Sequence, residues 1–173
     1  MRYSFFFDVR RCSGCNACMV ACMVACMDQN DIDVLKDNIS WRKVYQIEQP
    51  DSPAKISYLS LSCMHCEDAP CIVSCPTTAL YKEVLTGAVL VRPDLCIGCR
   101  SCSLACPFGA PRYGNDGKMQ KCRMCVERVA NGLEPACVSA CPTKALKFGE
   151  VNSFTEATQA KYAKRVVMLA GTR

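Results

Sequence analysis

The sequence has little of what most catalysts use. Its 173 residues include one histidine, His65, and one tryptophan, Trp41. No nucleophile stands in a recognisable arrangement with a base, no glycine-rich loop is spaced for phosphate, and no dinucleotide fingerprint follows a strand. The acidic pair Glu67-Asp68 has no nucleophile or second acid of evident purpose nearby. These absences argue against an enzyme acting alone. A long apolar run is missing too. A spanning helix needs about 20 apolar residues, whereas the longest mostly uncharged stretch, 12–27, is full of cysteine and broken by Ser13, Gly14 and Asn16. Residues 1–8 lack the basic-then-apolar order and small-residue cleavage site of a secretory signal. Arg10-Arg11 lead into cysteines and not into the apolar run of a twin-arginine signal. The expectation is a cytoplasmic chain with no direct membrane span, reaching a membrane or an exported location only on a partner subunit.

Cysteine is what the chain has in excess: 17 of 173 residues. Such density means a disulfide scaffold, a metal protein or an iron–sulfur protein. Sixteen fall into four groups. Cys12, Cys15, Cys18 and Cys22 are spaced C-x2-C-x2-C-x3-C. Cys63, Cys66, Cys71 and Cys75 are spaced C-x2-C-x4-C-x3-C, with Pro76 next. Cys96, Cys99, Cys102 and Cys106 repeat the first spacing, with Pro107 next. Cys122, Cys125, Cys137 and Cys141 are spaced C-x2-C-x11-C-x3-C, with Pro142 next. The motif is an internal repeat. Groups two and four also share a tail, Cys75-Pro76-Thr77-Thr78-Ala79-Leu80 against Cys141-Pro142-Thr143-Lys144-Ala145-Leu146. The odd count and the tight C-x2-C runs argue against disulfides.

Two-residue gaps turn successive thiolates inward around one metal core, so three sulfurs grip three irons. In two-cluster bacterial ferredoxins, the fourth cysteine of this run ligates the other cluster of a pair. It is expected at the start of a helix, with the following proline turning the chain away. Applied here, the rule pairs group two with group three and group one with group four. Four [4Fe–4S] clusters are predicted: cluster 1 on Cys12, Cys15, Cys18 and Cys141; cluster 2 on Cys63, Cys66, Cys71 and Cys106; cluster 3 on Cys96, Cys99, Cys102 and Cys75; cluster 4 on Cys122, Cys125, Cys137 and Cys22. Cys26 is an alternative to Cys22, because the block 17–26 repeats Ala-Cys-Met-Val and residues four apart share a helix face. Cys22 keeps the three-residue gap, which leaves Cys26 as a small buried hydrophobe. His65, inside Cys63-Met64-His65-Cys66, is unneeded as a ligand and reads as a packing or hydrogen-bonding residue that tunes its site.

Charge fits the same reading. The formal +5 counts every cysteine as neutral. Sixteen thiolates and four cores of about +2 each bring the holoprotein to about −3, so the basic balance does not signal nucleic acid. Structural zinc also uses C-x2-C pairs, but rarely three cysteines at successive two-residue gaps with Cys-Pro endings.

Between the groups the pattern gives short elements. Strands are expected at 3–7, 41–47 and 56–61, and hairpins joining 79–82 to 88–92 and 111–113 to 118–121. A helix capped by Ser153 is expected over 154–164, a last strand at 166–169, and a polar loop over 28–40. The fold class is α+β: two ferredoxin-like modules, one nested in the other. The outer module takes 1–50 and 107–173, the inner one 51–106, so the chain's ends must meet. Such short elements bury little apolar area, so ligated clusters are expected to hold the fold.

Four stretches carry a family resemblance: Phe7-Asp8-Val9-Arg10-Arg11-Cys12-Ser13-Gly14-Cys15, Cys63-Met64-His65-Cys66, Leu95-Cys96-Ile97-Gly98-Cys99-Arg100-Ser101-Cys102 and Lys121-Cys122-Arg123-Met124-Cys125. With the four groups in order, they resemble the four-cluster ferredoxin-type subunits of molybdenum and tungsten oxidoreductases. Examples are the iron–sulfur subunits of DMSO reductase, polysulfide reductase and formate dehydrogenase, and the small partners of tungsten aldehyde oxidoreductases. In nitrate-reductase relatives a tryptophan replaces one third-group cysteine and a three-iron cluster results; here all four third-group cysteines are present. The chain departs from the pattern in its extra Cys26 and in having no C-terminal membrane helix. The resemblance implies a non-catalytic subunit that relays single electrons between a large molybdopterin catalytic subunit and an outside donor or acceptor, such as a further subunit, a ferredoxin or a flavoprotein. An apolar docking patch on the partner face is then expected, with Tyr3, Phe5, Trp41 and Tyr45 as candidates. The alternatives are a free polyferredoxin and a zinc-binding interaction module.

Overall fold

The computed structural model describes residues 2–27, 39–49 and 52–170. Most of the loop expected over 28–40 lies outside these residues. The fold is α+β, made of four two-stranded antiparallel ribbons and short helices.

The aromatic strand β1 (Tyr3–Phe7) pairs with β8 (Leu146–Glu150), Tyr3 opposite Glu150 and Phe7 opposite Leu146. The first and last strands are therefore neighbours. β8 was not expected, because its five residues carry only two large apolar side chains, Leu146 and Phe148. The arm β2 (Lys43–Gln49) pairs with β3 (Ser52–Leu61); β2 is shifted two residues from its patterned stretch at the same length, and β3 is longer than its own. β4 (Leu80–Lys82) pairs with β5 (Val89–Val91), and β6 (Arg112–Tyr113) with β7 (Met119–Gln120), each at an expected hairpin. The shared Cys-Pro-Thr-x-Ala-Leu tail has one structural meaning in both places: its leucine opens a strand, Leu80 in β4 and Leu146 in β8.

The helices correct one expectation. The fourth cysteine of a group does not begin a helix; in three groups it ends one. α2 (Pro70–Val73) precedes Cys75, α3 (Ser101–Ala105) is closed by Cys106, and α5 (Ala136–Ser139) precedes Cys141. The cause is the next residue. A proline disfavours the α conformation in the residue before it, so Pro76, Pro107 and Pro142 keep each helix from running through the cysteine, which caps it at Cys106 and follows the cap at Cys75 and Cys141. Group one has Met23 there instead. Its helix α1 (Ala17–Met27) runs on, with Cys22 in mid-helix. The remaining short helix is α4 (Val126–Ala130).

The C-terminal expectation is also corrected. No strand forms at 166–169; one unbroken helix, α6, spans Val151–Ala170. A lone strand would leave its backbone groups unpaired, while each added helical turn pairs them locally, and propagation is cheap once a helix is nucleated. Ser153 does not cap it; its hydroxyl, inside the first turn, donates to the Glu150 carbonyl at 2.8 Å. Phe154 anchors the helix by stacking on Phe6, centroids 4.1 Å apart.

The largest core gathers Ile39, Trp41, Val138, Ala145 and Leu146 around cysteines of groups one and four. A second packs Leu80, Val89 and Met119 around cysteines of groups two and three. A third, of Ala88, Leu90 and Met124 with Tyr3, Phe5 and Phe148, joins β1 and β8 to the β4–β5 hairpin. Two helix pairs complete the packing, α1 on α5 and α2 on α3. Among the described residues no helix is long and apolar enough to cross a membrane.

Candidate metal centres

Three cavities are lined by cysteine. Cys12, Cys15, Cys18 and Cys141 line one. Cys75, Cys96, Cys99 and Cys102 line another. Cys122, Cys125 and Cys137 line a third, together with both Cys22 and Cys26. The remaining four cysteines interact electrostatically. Burial, then Cys63, push the Cys66 thiol up, with Cys106 adding to the rise. Burial pushes Cys71 up to about 11, with Lys121 opposing and Cys63, Cys106 and Cys102 adding. Among the described residues no three histidine, cysteine or acidic side chains converge on a single metal ion. The sulfurs stand around cavities instead, as a multi-iron core requires and a mononuclear zinc site does not. All 17 cysteines are free of disulfides.

The loops achieve this by a device the spacing alone does not reveal. In every group the residue before the second cysteine is left-handed: Gly14 (φ 71°), His65 (46°), Gly98 (70°) and Met124 (60°). That reversal turns the second thiol back toward the first. It also aims backbone N–H groups at sulfur: His65 N–H donates to Cys63 Sγ at 3.5 Å and Met124 N–H to Cys122 Sγ at 3.4 Å. Met119 N–H donates to Cys96 Sγ at 3.3 Å and Ala110 N–H to Cys106 Sγ at 3.5 Å. The proline-terminated tails turn left-handed as well, at Thr78, Gly109 and Lys144, three residues after their cysteines.

These tails make nests of N–H groups, which favour an anion. At Cys75 burial works against the thiolate, but the Thr77 hydroxyl and the N–H groups of Leu80, Thr77 and Ala79 outweigh it and hold the thiol below its usual range. At Cys141 burial is likewise overcome, by Leu146 N–H, the Thr143 hydroxyl and the N–H groups of Ala145 and Thr143. The interior behaves oppositely. Burial pushes Cys122 up, and Cys137 up to about 12 despite Arg42. A hydrogen bond with Cys26, then burial, push Cys22 up as well. Such thiols stay protonated until a metal displaces the proton.

The residues around the cavities fit an iron–sulfur core. The donor sets are all thiol, sulfur already accepts backbone N–H, and the Trp41 indole N–H lies buried on the third cavity's wall without a hydrogen-bond partner among the described residues. Trp41 is 7% exposed, which corrects its expected place in a docking patch. Phe5 is packed against His65 and Phe148, and Tyr3 stacks on Phe148; of the four candidates only Tyr45 is exposed. His65 holds its loop to β5, its Nδ1 accepting Val89 N–H at 3.0 Å. Burial, then Lys121, keep it neutral. Sequence reasoning missed Arg42, Lys121, Ser60 and Tyr113. The Tyr113 hydroxyl lies 3.3 Å from Cys102 Sγ and that of Ser60 3.4 Å from Cys18 Sγ. No spacing rule marks such residues; only the fold brings them to sulfur.

Short α+β elements wrapped around cavities lined by four or five cysteines each define a ferredoxin-type iron–sulfur protein. The 4Fe-4S dicluster domain family matches residues 54–151, more than half of the chain, and the chain belongs to it. It is 41% identical over 161 residues to the B subunit of the anaerobic dimethyl sulfoxide reductase of Escherichia coli (strain K12), covering 87% of this chain and 75% of that protein. It is 42% identical over 158 residues to the thiosulfate reductase electron transfer subunit PhsB of Salmonella typhi, covering 87% and 77%. With the iron-sulfur subunit of the nitrate-inducible formate dehydrogenase of Escherichia coli (strain K12) it shares 36% identity over 176 residues, covering 91% and 57%.

Proposed function

We propose that this chain is the non-catalytic electron-transfer subunit of a molybdopterin oxidoreductase, of molybdenum or tungsten, and that it holds four [4Fe–4S] clusters. The observation that carries the reading is the sorting of its cysteines into sets of four. Three cavities join a fourth-position cysteine to three cysteines of another group, Cys141 to group one, Cys75 to group three and Cys22 to group four. The mutual electrostatic effects of Cys63, Cys66, Cys71 and Cys106 support the last set. The ligands are then Cys12, Cys15, Cys18 and Cys141; Cys63, Cys66, Cys71 and Cys106; Cys75, Cys96, Cys99 and Cys102; and Cys22, Cys122, Cys125 and Cys137. The helix pairs α2–α3 and α1–α5 support two nested modules, inner 51–106 and outer 1–50 with 107–173.

A bound [4Fe–4S] cluster supplies reversible one-electron storage with little change of shape. The chain's part is to fix such groups in a row. Arg42 acts on Cys18 and on Cys22, Cys122 and Cys137 together. Cys122 feels Cys63, and Cys71 feels Cys102. These neighbours give the order 1, 4, 2, 3. An exposed cysteine, Cys15 or Cys99, stands in each terminal set, while Cys22, Cys63, Cys122 and Cys137 are buried in the middle two. One end would face the catalytic subunit, the other a further subunit, ferredoxin or flavoprotein. Seventeen unpaired thiols suit assembly in the reducing cytoplasm, with any export following on the partner.

Anaerobic purification from the native host tests the reading. About sixteen irons and sixteen sulfides per chain are expected, with a large molybdenum- or tungsten-containing chain co-purifying. Zinc without acid-labile sulfide would overturn the cluster assignment. A fully loaded small chain with no large partner would overturn the subunit assignment in favour of a free carrier.

A further inference from the structure

Two cations lie inside this protein with no carboxylate paired to them among the described residues. Arg42 is 2% exposed and Lys121 is 3% exposed. The ion pairs among the described residues join Arg2 and Lys82 to Glu67 and Arg123 to Glu127, all at the surface, and involve neither. Arg42 donates from Nη1 to Ser60 Oγ at 3.0 Å and from Nη2 to Ser62 Oγ at 2.7 Å, both neutral acceptors. Its guanidinium lies over the Phe5 ring, 5.0 Å from the centroid, and its Nε is buried without a hydrogen-bond partner among the described residues. Lys121 Nζ donates to two backbone carbonyls, Val89 O and Cys122 O.

A buried charge is costly unless an opposite charge compensates it, and an arginine cannot escape by losing its proton. The compensation available is cysteine sulfur. Arg42 sits within electrostatic reach of Cys137, Cys122, Cys22 and Cys18; burial works against its charge, yet those four outweigh it. Its partner Ser60 also touches Cys18 Sγ. Lys121, the residue before Cys122, acts on Cys71. The cations thus attend the two middle sets, neither of which contains an exposed cysteine. Reduction adds negative charge, and burial penalises that charge, so a buried site is harder to reduce than an exposed one unless a fixed cation offsets the penalty.

We propose that Arg42 and Lys121 are built-in counter-charges that raise the reduction potentials of the two interior clusters, Arg42 for the set Cys22, Cys122, Cys125 and Cys137, and Lys121 for the set Cys63, Cys66, Cys71 and Cys106. They keep the middle of the row level with its exposed ends. Arg42 also reaches the first set through Cys18. The inference rests on the ligand sets proposed above.

The test is potentiometric titration of the holoprotein followed by electron paramagnetic resonance, with iron and sulfide measured on every sample. Arg42→Met and Lys121→Met should each depress a different component by tenfold or more in its reduction equilibrium, about 59 mV for one electron. Arg42→Lys and Lys121→Arg keep the charge and should titrate like the wild type. If a methionine variant loads poorly while its charge-conserving counterpart loads fully, charge compensation is supported through assembly. Full iron with unchanged potentials in both methionine variants would overturn the proposal, as would a charge-conserving variant that falls as far as the methionine one. A wild-type chain without iron and sulfide would instead defeat the ligand assignment.

Discussion

Adding one methyl group at Gly98 should damage one cluster site and spare the rest. Gly98 has φ +70° and lies between Cys96 and Cys99 on the wall of their cavity. A left-handed non-glycine residue costs roughly 1–2 kcal/mol. A Cβ there would stand 2.7 Å from the Gly117 carbonyl oxygen, a backbone atom. That oxygen cannot swing aside, because its turn is tied by Gly117 N–H to Gly114 O at 2.9 Å and by Lys118 N–H to Asp116 Oδ1 at 2.9 Å. Overpacking of this kind adds about 1–3 kcal/mol, so Gly98→Ala should cost about 2–5 kcal/mol in all. The cost falls on function as well. If the loop moves from the hairpin, it loses the 3.3 Å bond from Met119 N–H to Cys96 Sγ. The control is Gly132→Ala, also left-handed at φ +72° but with nothing within 4 Å of the added carbon. It should cost only about 1–2 kcal/mol and leave every cluster intact. Anaerobic denaturation measures the first quantity. Iron analysis and paramagnetic resonance measure the second, with about four of roughly sixteen irons lost or one component altered in Gly98→Ala. Equal behaviour of the two variants would refute the argument from close approach.

Two further substitutions probe single sulfurs. Cys22→Ser should remove about one cluster's worth of iron, about four of roughly sixteen, while Cys26→Ala keeps full iron and sulfide; the reverse result would make Cys26 the ligand. Tyr113→Phe should lower the potential of one component, by about tenfold in its equilibrium or ~59 mV, because the hydroxyl reaches Cys102 Sγ at 3.3 Å. An unchanged titration would mean that this hydroxyl serves only Ser103 Oγ, at 2.8 Å.

The cysteine groups were legible because ligand spacing is a local constraint, and the hairpins because turn residues separate short apolar runs. What stayed hidden depends on distant contacts or on single backbone angles. His65 and Met124 adopt left-handed conformations that their residue types do not announce, and they do so because the loop must reverse between two sulfurs. Trp41 reads as an exposed docking aromatic until the fold places it on a cavity wall beside Cys122 and Cys137. Nothing in its sequence context marks Arg42 as a buried cation. Only the pairing of β2 with β3 sets it against Ser60 and Ser62, with Phe5 beneath.

The ambiguity between Cys22 and Cys26 has a structural origin that the sequence already contained. Three groups end Cys-Pro, and there the helix must stop, so the chain offers one sulfur at one height. Group one lacks the proline, and α1 continues for another turn. Four helical residues carry the next same-face side chain about 6 Å along the axis, which is why both Cys22 and Cys26 reach the wall of one cavity. Burial separates them: Cys22 is 6% exposed and lies within reach of Arg42, whereas Cys26 is only partly buried. A buried cation facing a buried thiol favours the thiolate at Cys22 once metal replaces the proton. On the ligand sets proposed above, the repeat of Ala-Cys-Met-Val leaves Cys26 as a side chain filling the turn that the missing proline allowed.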